Sequence, residues 1–309
     1  MDITYRIITD LTETKQYWHA LSPNESIYDL WDFRFAFYKY HNFPLASVVS
    51  FYNEEPVAFL GIEYNPTIEK YESFGTYFME TNRVFTKPGF EWLVPEVYRR
   101  IPCPMSVEGI SLQDGMPAMP VQDYTYNLPL QAYDGSFDTY WHTCFSTKTR
   151  NTLKRKFRDI EEGKTIQIEP GTPADIDTLF ALNIKNFEKK FEAGGEKTST
   201  FLYPHRMDTY RDLLTIPDVV PYFQKFIIDG ETKAVSLILL YRHWYIFLNT
   251  GANAYEIPNL GTYVYYKSIE HAFSLYPMVT TYDAGMGAYH WKERFHLNAI
   301  PQYIYERPC

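Results

Sequence analysis

Apolar and polar residues along the chain follow two rhythms, a strand period of two and a helix period near 3.6, separated by turn residues. Ile3 to Ile8 alternates as a strand, and Leu11 to Leu21 follows as a short helix. Ser26 is placed to cap a second helix over Ile27 to Tyr40, with Trp31, Phe35 and Tyr38 at helical spacing. Leu45 to Tyr52 and Val57 to Tyr64 flank an Asn53-Glu54-Glu55 turn, the pattern of a hairpin. A strand at Tyr71 to Phe74 ends in Gly75, and a helix from Glu91 to Arg100 stops before Pro102-Cys103-Pro104. Val107 to Leu112 and Tyr124 to Leu128 read as further strands, and this α/β unit closes near Pro129.

From Gly135 the pattern restarts. A helix over Phe137 to Cys144 leads to Ser146, an N-cap for a helix from Thr147 to Glu162 that stops at Gly163. Thr165 to Ile168 is a strand, and Thr172-Pro173-Ala174-Asp175 opens a helix to about Phe191. The polar stretch from Glu192 to Tyr203 reads as a loop, and Arg206 to Ile216 as a helix. Tyr222 to Ile228, Lys233 to Leu240 and Trp244 to Asn249 are three strands with hairpin-type connections. Pro258-Asn259-Leu260-Gly261 then feeds a helix whose Tyr263, Tyr266, Ile269 and Phe273 share a face, and Leu275-Tyr276-Pro277 ends it. Met278 to Tyr282 reads as a short buried strand, and Asp283 to Gly287 as a glycine-rich turn. The expected fold is α/β (α+β): two tandem modules with mixed sheets, residues 1–130 and 131–309.

Composition narrows the function classes. A chain of 309 residues with 45% hydrophobic and 22% charged residues has the core of a folded, soluble protein. The net charge of −9 argues against general nucleic-acid binding. Cys103, Cys144 and Cys309 are odd in number and far apart, which indicates neither a disulfide framework nor a zinc cluster. There is no signal-peptide pattern and no apolar run of the ~18 residues that span a bilayer. These features lead to the expectation of a cytoplasmic protein with free thiols, no metal and no membrane span.

Candidate chemistry concentrates in two segments. Lys148, Arg150, Lys154, Arg155, Lys156 and Arg158 crowd one helix, with Leu153, Phe157 and Ile160 as its apolar stripe. Arg150, Lys154 and Arg158, four apart, line one face, either a solvated face or a site for phosphate or carboxylate. The second segment runs from Pro258 to Phe295. Asn259, Leu260, Gly261 and Thr262 form either an ordinary helix start or a cradle whose backbone N–H groups meet an anion such as a pyrophosphate. Farther on, Asp283 precedes Tyr289, His290, Lys292, Glu293 and Arg294. They are either functional groups at a strand end or a turn cap and surface ion pairs.

In order and spacing, Ser146-Thr-Lys148-Thr-Arg150, Tyr282-Asp283-Ala-Gly285-Met-Gly287 and His290-Trp291-Lys292-Glu-Arg-Phe295 resemble the BioF2-like, FemAB-related branch of the GNAT acyltransferases. The resemblance covers roughly residues 130–305 and implies two GNAT-like modules. The activity it implies is N-acyl transfer from acetyl-CoA or another acyl-CoA to a small-molecule amine by direct attack. Under it, Asn259 to Thr262 hold the pyrophosphate of the donor, and Arg150 and Lys154 meet an anionic group of a substrate. Attack by an amine needs a proton acceptor and a donor for the oxyanion or leaving thiolate. Asp283 is the candidate base, Tyr289 the acid and Lys292 the charge stabiliser. Two alternatives remain. One is a FemAB-type transferase that takes an aminoacyl-tRNA donor to a cell-wall precursor; the other is a non-catalytic binding module on the same fold.

Overall fold

The computed structural model describes residues 2–76, 79–113, 116–194, 198–287 and 290–309. The chain forms two compact units: Met1–Thr125 with Met286–Ala288 and Ile300–Cys309, and Tyr126–Gly285 with Tyr289–Ala299.

The first unit opens with β1 (Ile3–Ile8) and α1 (Leu11–Leu21). Asp10 caps α1 by accepting from the Glu13 N–H at 2.8 Å, and Thr14, Trp18 and Leu21 form its buried face. The helix expected over Ile27 to Tyr40 is two pieces, a 3-10 turn at Ile27–Asp29 and α2 (Trp31–Tyr38). Asp29 is the reason: its carboxylate accepts from the Glu25 and Ser26 N–H groups and pairs with Arg83 at 2.6 Å, while Leu30 is extended. β2 (Ser47–Tyr52) and β3 (Glu55–Leu60) form the expected hairpin, with Asn53 and Glu54 both at positive φ. Gly61 then splits the single strand expected over Val57 to Tyr64, and the chain continues as β4 (Ile62–Asn65). A Cβ at Gly61 would lie 2.7 Å from the Trp18 ring, so only glycine admits this approach.

β5 (Lys70–Ser73), β6 (Phe85–Thr86), α3 (Val94–Arg100), β7 (Met105–Ile110) and β8 (Val121–Pro129) follow. One sheet has the order β1-β2-β3-β6. In the other β4 pairs antiparallel with β5, and β5 pairs parallel with β7.

The second unit contains α4 (Phe137–Cys144), α5 (Thr147–Glu161), β9 (Ile166–Pro170), α6 (Asp175–Glu192) and α7 (Pro204–Leu213). Then come β10 (Val220–Ile228), β11 (Glu231–Tyr241), β12 (Trp244–Ala252), α8 (Leu260–Ser274), β13 (Thr281–Met286) and α9 (His290–Arg294). β14 (Asn298–Arg307) runs on into the first unit, where it pairs antiparallel with β7. The strand order is β13-β12-β11-β10-β9, antiparallel except for the parallel pair β12–β13. The core on the α8 face includes Tyr140, Phe145, Phe226, Tyr245, Tyr263, Ile269 and Tyr282. Among the described residues no helix is long and apolar enough to cross a membrane.

Candidate functional site

The parallel ladder between β12 and β13 is short. Trp244 pairs with Thr281, Tyr245 with Tyr282 and Ile246 with Asp283, and there the pairing ends. β12 continues to Ala252, so its edge beyond Ile246 leaves the β13 ladder. On its other side β12 bulges: Leu237 of β11 faces Asn249 and Ile238 faces Phe247, leaving Leu248 as the extra residue. A bulge bends its strand and disrupts the ladder locally, and bulges gather beside functional sites. The result is a fork in the sheet of the second unit.

Side-chain alternation sorts the fork into two faces. Tyr245, Phe247 and Tyr282 belong to the core packed against α8, with the Tyr245 and Tyr282 rings stacked at 5.4 Å. Asp283, one position on from Tyr282, points to the opposite face.

Sequence reading expects Asp283 at a strand end and the following residues in a turn. Instead β13 runs through Asp283, Ala284 and Gly285 to Met286. Gly285 makes this work by taking a φ of +71°, and its N–H donates to Asp283 Oδ1 at 2.8 Å. The ammonium of Lys292, on α9, donates to the Gly285 carbonyl at 2.7 Å. Lys292 is only 2% exposed, and its Nζ lies 5.1 Å from the Tyr126 ring centre. A buried ammonium is costly unless hydrogen-bonded, and an aromatic face adds cation–π attraction. Asp283 and Lys292 thus both bond to Gly285, and both are buried, which corrects the surface ion-pair reading of Lys292. Tyr289 lies outside the described residues.

An aromatic relay surrounds this point: Phe247 of β12 meets Tyr265 of α8 at 4.7 Å, and Tyr265 stacks on Trp291 of α9 at 3.6 Å. Three elements are so fixed around the fork.

The Asn259 to Thr262 segment is the entrance to α8. Asn259 takes a left-handed φ of 67° and gives no side-chain cap, so no capping side chain claims the first-turn N–H groups. A Cβ built on Gly261 meets nothing within 4 Å. An uncapped N-terminus with open space beside its glycine fits an anion.

The basic helix divides into two parts. Its second half packs on α8: Phe157 meets Tyr263 at 5.3 Å and Tyr266 at 4.7 Å, and Tyr263 donates to Glu161 at 2.9 Å. Burial and the Glu161 carboxylate push the Tyr263 hydroxyl pKa up. Arg150 lies eleven residues from Glu161, about 16 Å along the helix axis. Its guanidinium donates to the carbonyls of Phe145 and His142 and to Thr147 Oγ1, tying down the end of α4. Lys154 is exposed.

A polar cluster on the α6–α7 side is absent from the residues that the sequence singles out. Ser199 donates to Asn183 at 2.7 Å, Asn183 donates to the Thr250 carbonyl at 2.9 Å, and Asn249 donates to the Tyr210 hydroxyl at 3.2 Å. The signal was present: Asn249-Thr250 interrupts an otherwise apolar strand directly after the bulge at Leu248. An open groove of about 620 Å³, lined by Asp177, Lys185, Glu231, Lys233, Tyr255 and Glu256 among others, contains none of the expected site residues. Most of its charges are already paired, Lys233 with Glu231 and Glu256, and Asp177 with Arg211, while Lys185 sits 5.2 Å from the Tyr255 ring centre. The candidate residues Asp283 and Lys292 lie at the fork and not in this groove.

Residues 147–293 match the family model described as acetyltransferase (GNAT) domain. This stretch, which lies within the second unit apart from a short excursion, is similar to GNAT acetyltransferase domains. Solved structures extend the likeness in fold to nearly the whole chain. A conserved protein of unknown function from Bacteroides thetaiotaomicron VPI-5482 is 10% identical, with 97% of this chain and 99% of that chain covered and a TM-score of 0.57. FemX is 11% identical over 99% and 98%, with a TM-score of 0.53. A tandem GNAT protein from the clavulanic acid biosynthesis pathway is 10% identical over 99% and 98%, with a TM-score of 0.52. No curated protein sequence matches the chain. The chain shares the α/β fold of these FemX and tandem GNAT structures.

Proposed function

We propose that the second unit moves an acyl group from an acyl-CoA to the nitrogen of a small amine, by direct attack and without a covalent enzyme intermediate. The observation that carries this reading is the fork at Ile246 and Asp283, with Asp283 and Lys292 both held on Gly285. The uncapped start of α8 supports the donor side, since Gly261 and Thr262 offer N–H groups to a diphosphate. An acyl-CoA would supply the thioester. The free edge of β12 offers backbone donors to its carbonyl, and Lys292 adds positive charge where the oxyanion develops. The amine approaches on the face of Asp283 and Asn249, and Asp283 holds its ammonium form and accepts the proton.

The test is release of CoA thiol from acetyl-CoA and longer acyl-CoAs across a panel of primary amines. Amine-dependent release with intersecting double-reciprocal lines is expected for direct attack in a ternary complex. Absence of release with every donor counts against the reading.

The exposed Lys148, Lys154, Arg155 and Arg158 favour a second reading, an aminoacyl-tRNA donor, because a basic helix face suits a polyanion. Transfer of a labelled amino acid from aminoacyl-tRNA to an amine, with acyl-CoA inert, would select it.

A further inference from the structure

The pairing of β14 with β7 sets two distant cysteines side by side. Tyr305 faces Val107, Glu306 faces Ser106 and Arg307 faces Met105. Two residues beyond each strand end, the same antiparallel register brings Cys309 opposite Cys103. Arg307 secures that register by donating to the carbonyls of Arg99, at 2.8 Å, and Ile101, at the end of α3. The sulfurs of Cys309 and Cys103 lie 2.7 Å apart, and both residues are exposed. Directly opposed residues of an antiparallel pair have Cα atoms about 4.5–5.5 Å apart, inside the range of about 4.4–6.8 Å that a disulfide spans.

We propose that Cys103 and Cys309 are a disulfide-forming pair, oxidised by a low-molecular-weight disulfide such as oxidised glutathione. One thiolate attacks a sulfur of the oxidant, forming a mixed disulfide and releasing one molecule of the small thiol. The second cysteine's thiolate then attacks the protein sulfur of that mixed disulfide and releases the other. The two cysteines lose two electrons and two protons, and the oxidant takes up both to become two thiols. The bond closes a loop between positions 206 residues apart and ties the end of β14 to the segment entering β7. Cys144 stands outside this pair, half-buried and 3.2 Å from the Tyr133 hydroxyl.

The experiment incubates the full, folded chain with oxidised glutathione at low protein concentration, then counts thiols after denaturation and maps peptides without reduction. The expected result is a fall from three titratable thiols to one, with a Cys103–Cys309 cross-linked peptide that dithiothreitol removes. C144S should form the same bridge, and C309S should form none. The oxidised chain should also unfold at a higher denaturant midpoint than the reduced chain, a difference absent in C309S. A bridge to Cys144, a dimer cross-link, or stable glutathione adducts on Cys103 and Cys309 would each overturn the proposal.

Discussion

Lys292 donates its ammonium proton to the Gly285 carbonyl at 2.7 Å, from a side chain almost wholly withdrawn from water. Because the Gly285 N–H donates to Asp283, this one glycine couples the two groups proposed to handle charge in acyl transfer. Lys292 therefore has a structural share and a proposed chemical share, and substitutions separate them.

Lys292→Met keeps most of the stem and removes the charge. It leaves the Gly285 carbonyl without this donor, which should cost about 1–3 kcal/mol in denaturant unfolding. If the charge also stabilises the transition state, kcat and kcat/KM should both fall on the order of 10²-fold. Full turnover in a variant that still folds would remove Lys292 from the chemistry.

Asp283→Asn preserves an acceptor for the Gly285 N–H, so the strand should hold. With the carboxylate as proton acceptor, the acid limb of the pH–rate profile should disappear or move. A superimposable profile would assign Asp283 to strand geometry alone.

Arg150 and Lys154 should behave differently despite sharing a helix face. Arg150→Gln loses contacts to the end of α4 and should lower stability by about 1 kcal/mol. Lys154→Gln should leave stability unchanged and raise KM. That rise should shrink with added salt, since exposed charges are screened beyond about 8 Å at physiological ionic strength. Salt-independent KM values in both variants would make this helix a solvated face.

Much of this architecture is legible in the residues, and the failures have physical causes. Ser146 caps α5 as its position before a basic amphipathic run foretells, because capping is decided within three residues. Gly61 gives no local sign that Trp18, far away in sequence, rests on it. Gly285 looks like a turn residue, yet it sits in a strand because Asp283 and Lys292 hold both sides of its peptide. The basic residues were visible, but only tertiary packing commits Arg150 to α4 and brings Phe157 to α8. The return of Ile300–Cys309 to the first unit is a long-range pairing that periodicity does not encode.

In the first unit Glu63 sits opposite Glu72 across β4–β5, and it has no solvent exposure. Burial, and then the Glu72 charge, raise its carboxyl well above the usual range. The folded state then binds the proton more tightly than the unfolded state. Its contribution is complete below the unfolded carboxylate pKa and is lost as pH rises toward the folded value, by up to about 1.4 kcal/mol per pH unit. Glu63→Gln should flatten the loss of stability as pH rises above the ordinary carboxylate range in urea unfolding. An unchanged slope would mean that Glu63 ionises in the fold as freely as outside it.

The central claim, an acyl-CoA donor held at the start of α8, is tested most directly by calorimetric titration of acetyl-CoA into the wild type and Gly261→Val. Outside its chain neighbours and its own helix backbone, a Cβ at Gly261 meets nothing within 4 Å, so valine should leave the melting temperature and far-UV spectrum unchanged while it obstructs a diphosphate at the helix entrance. Saturable binding by the wild type and a loss of at least tenfold in affinity in the variant are expected. Equal affinity in the two proteins, or no binding of any CoA thioester by the wild type, would contradict it.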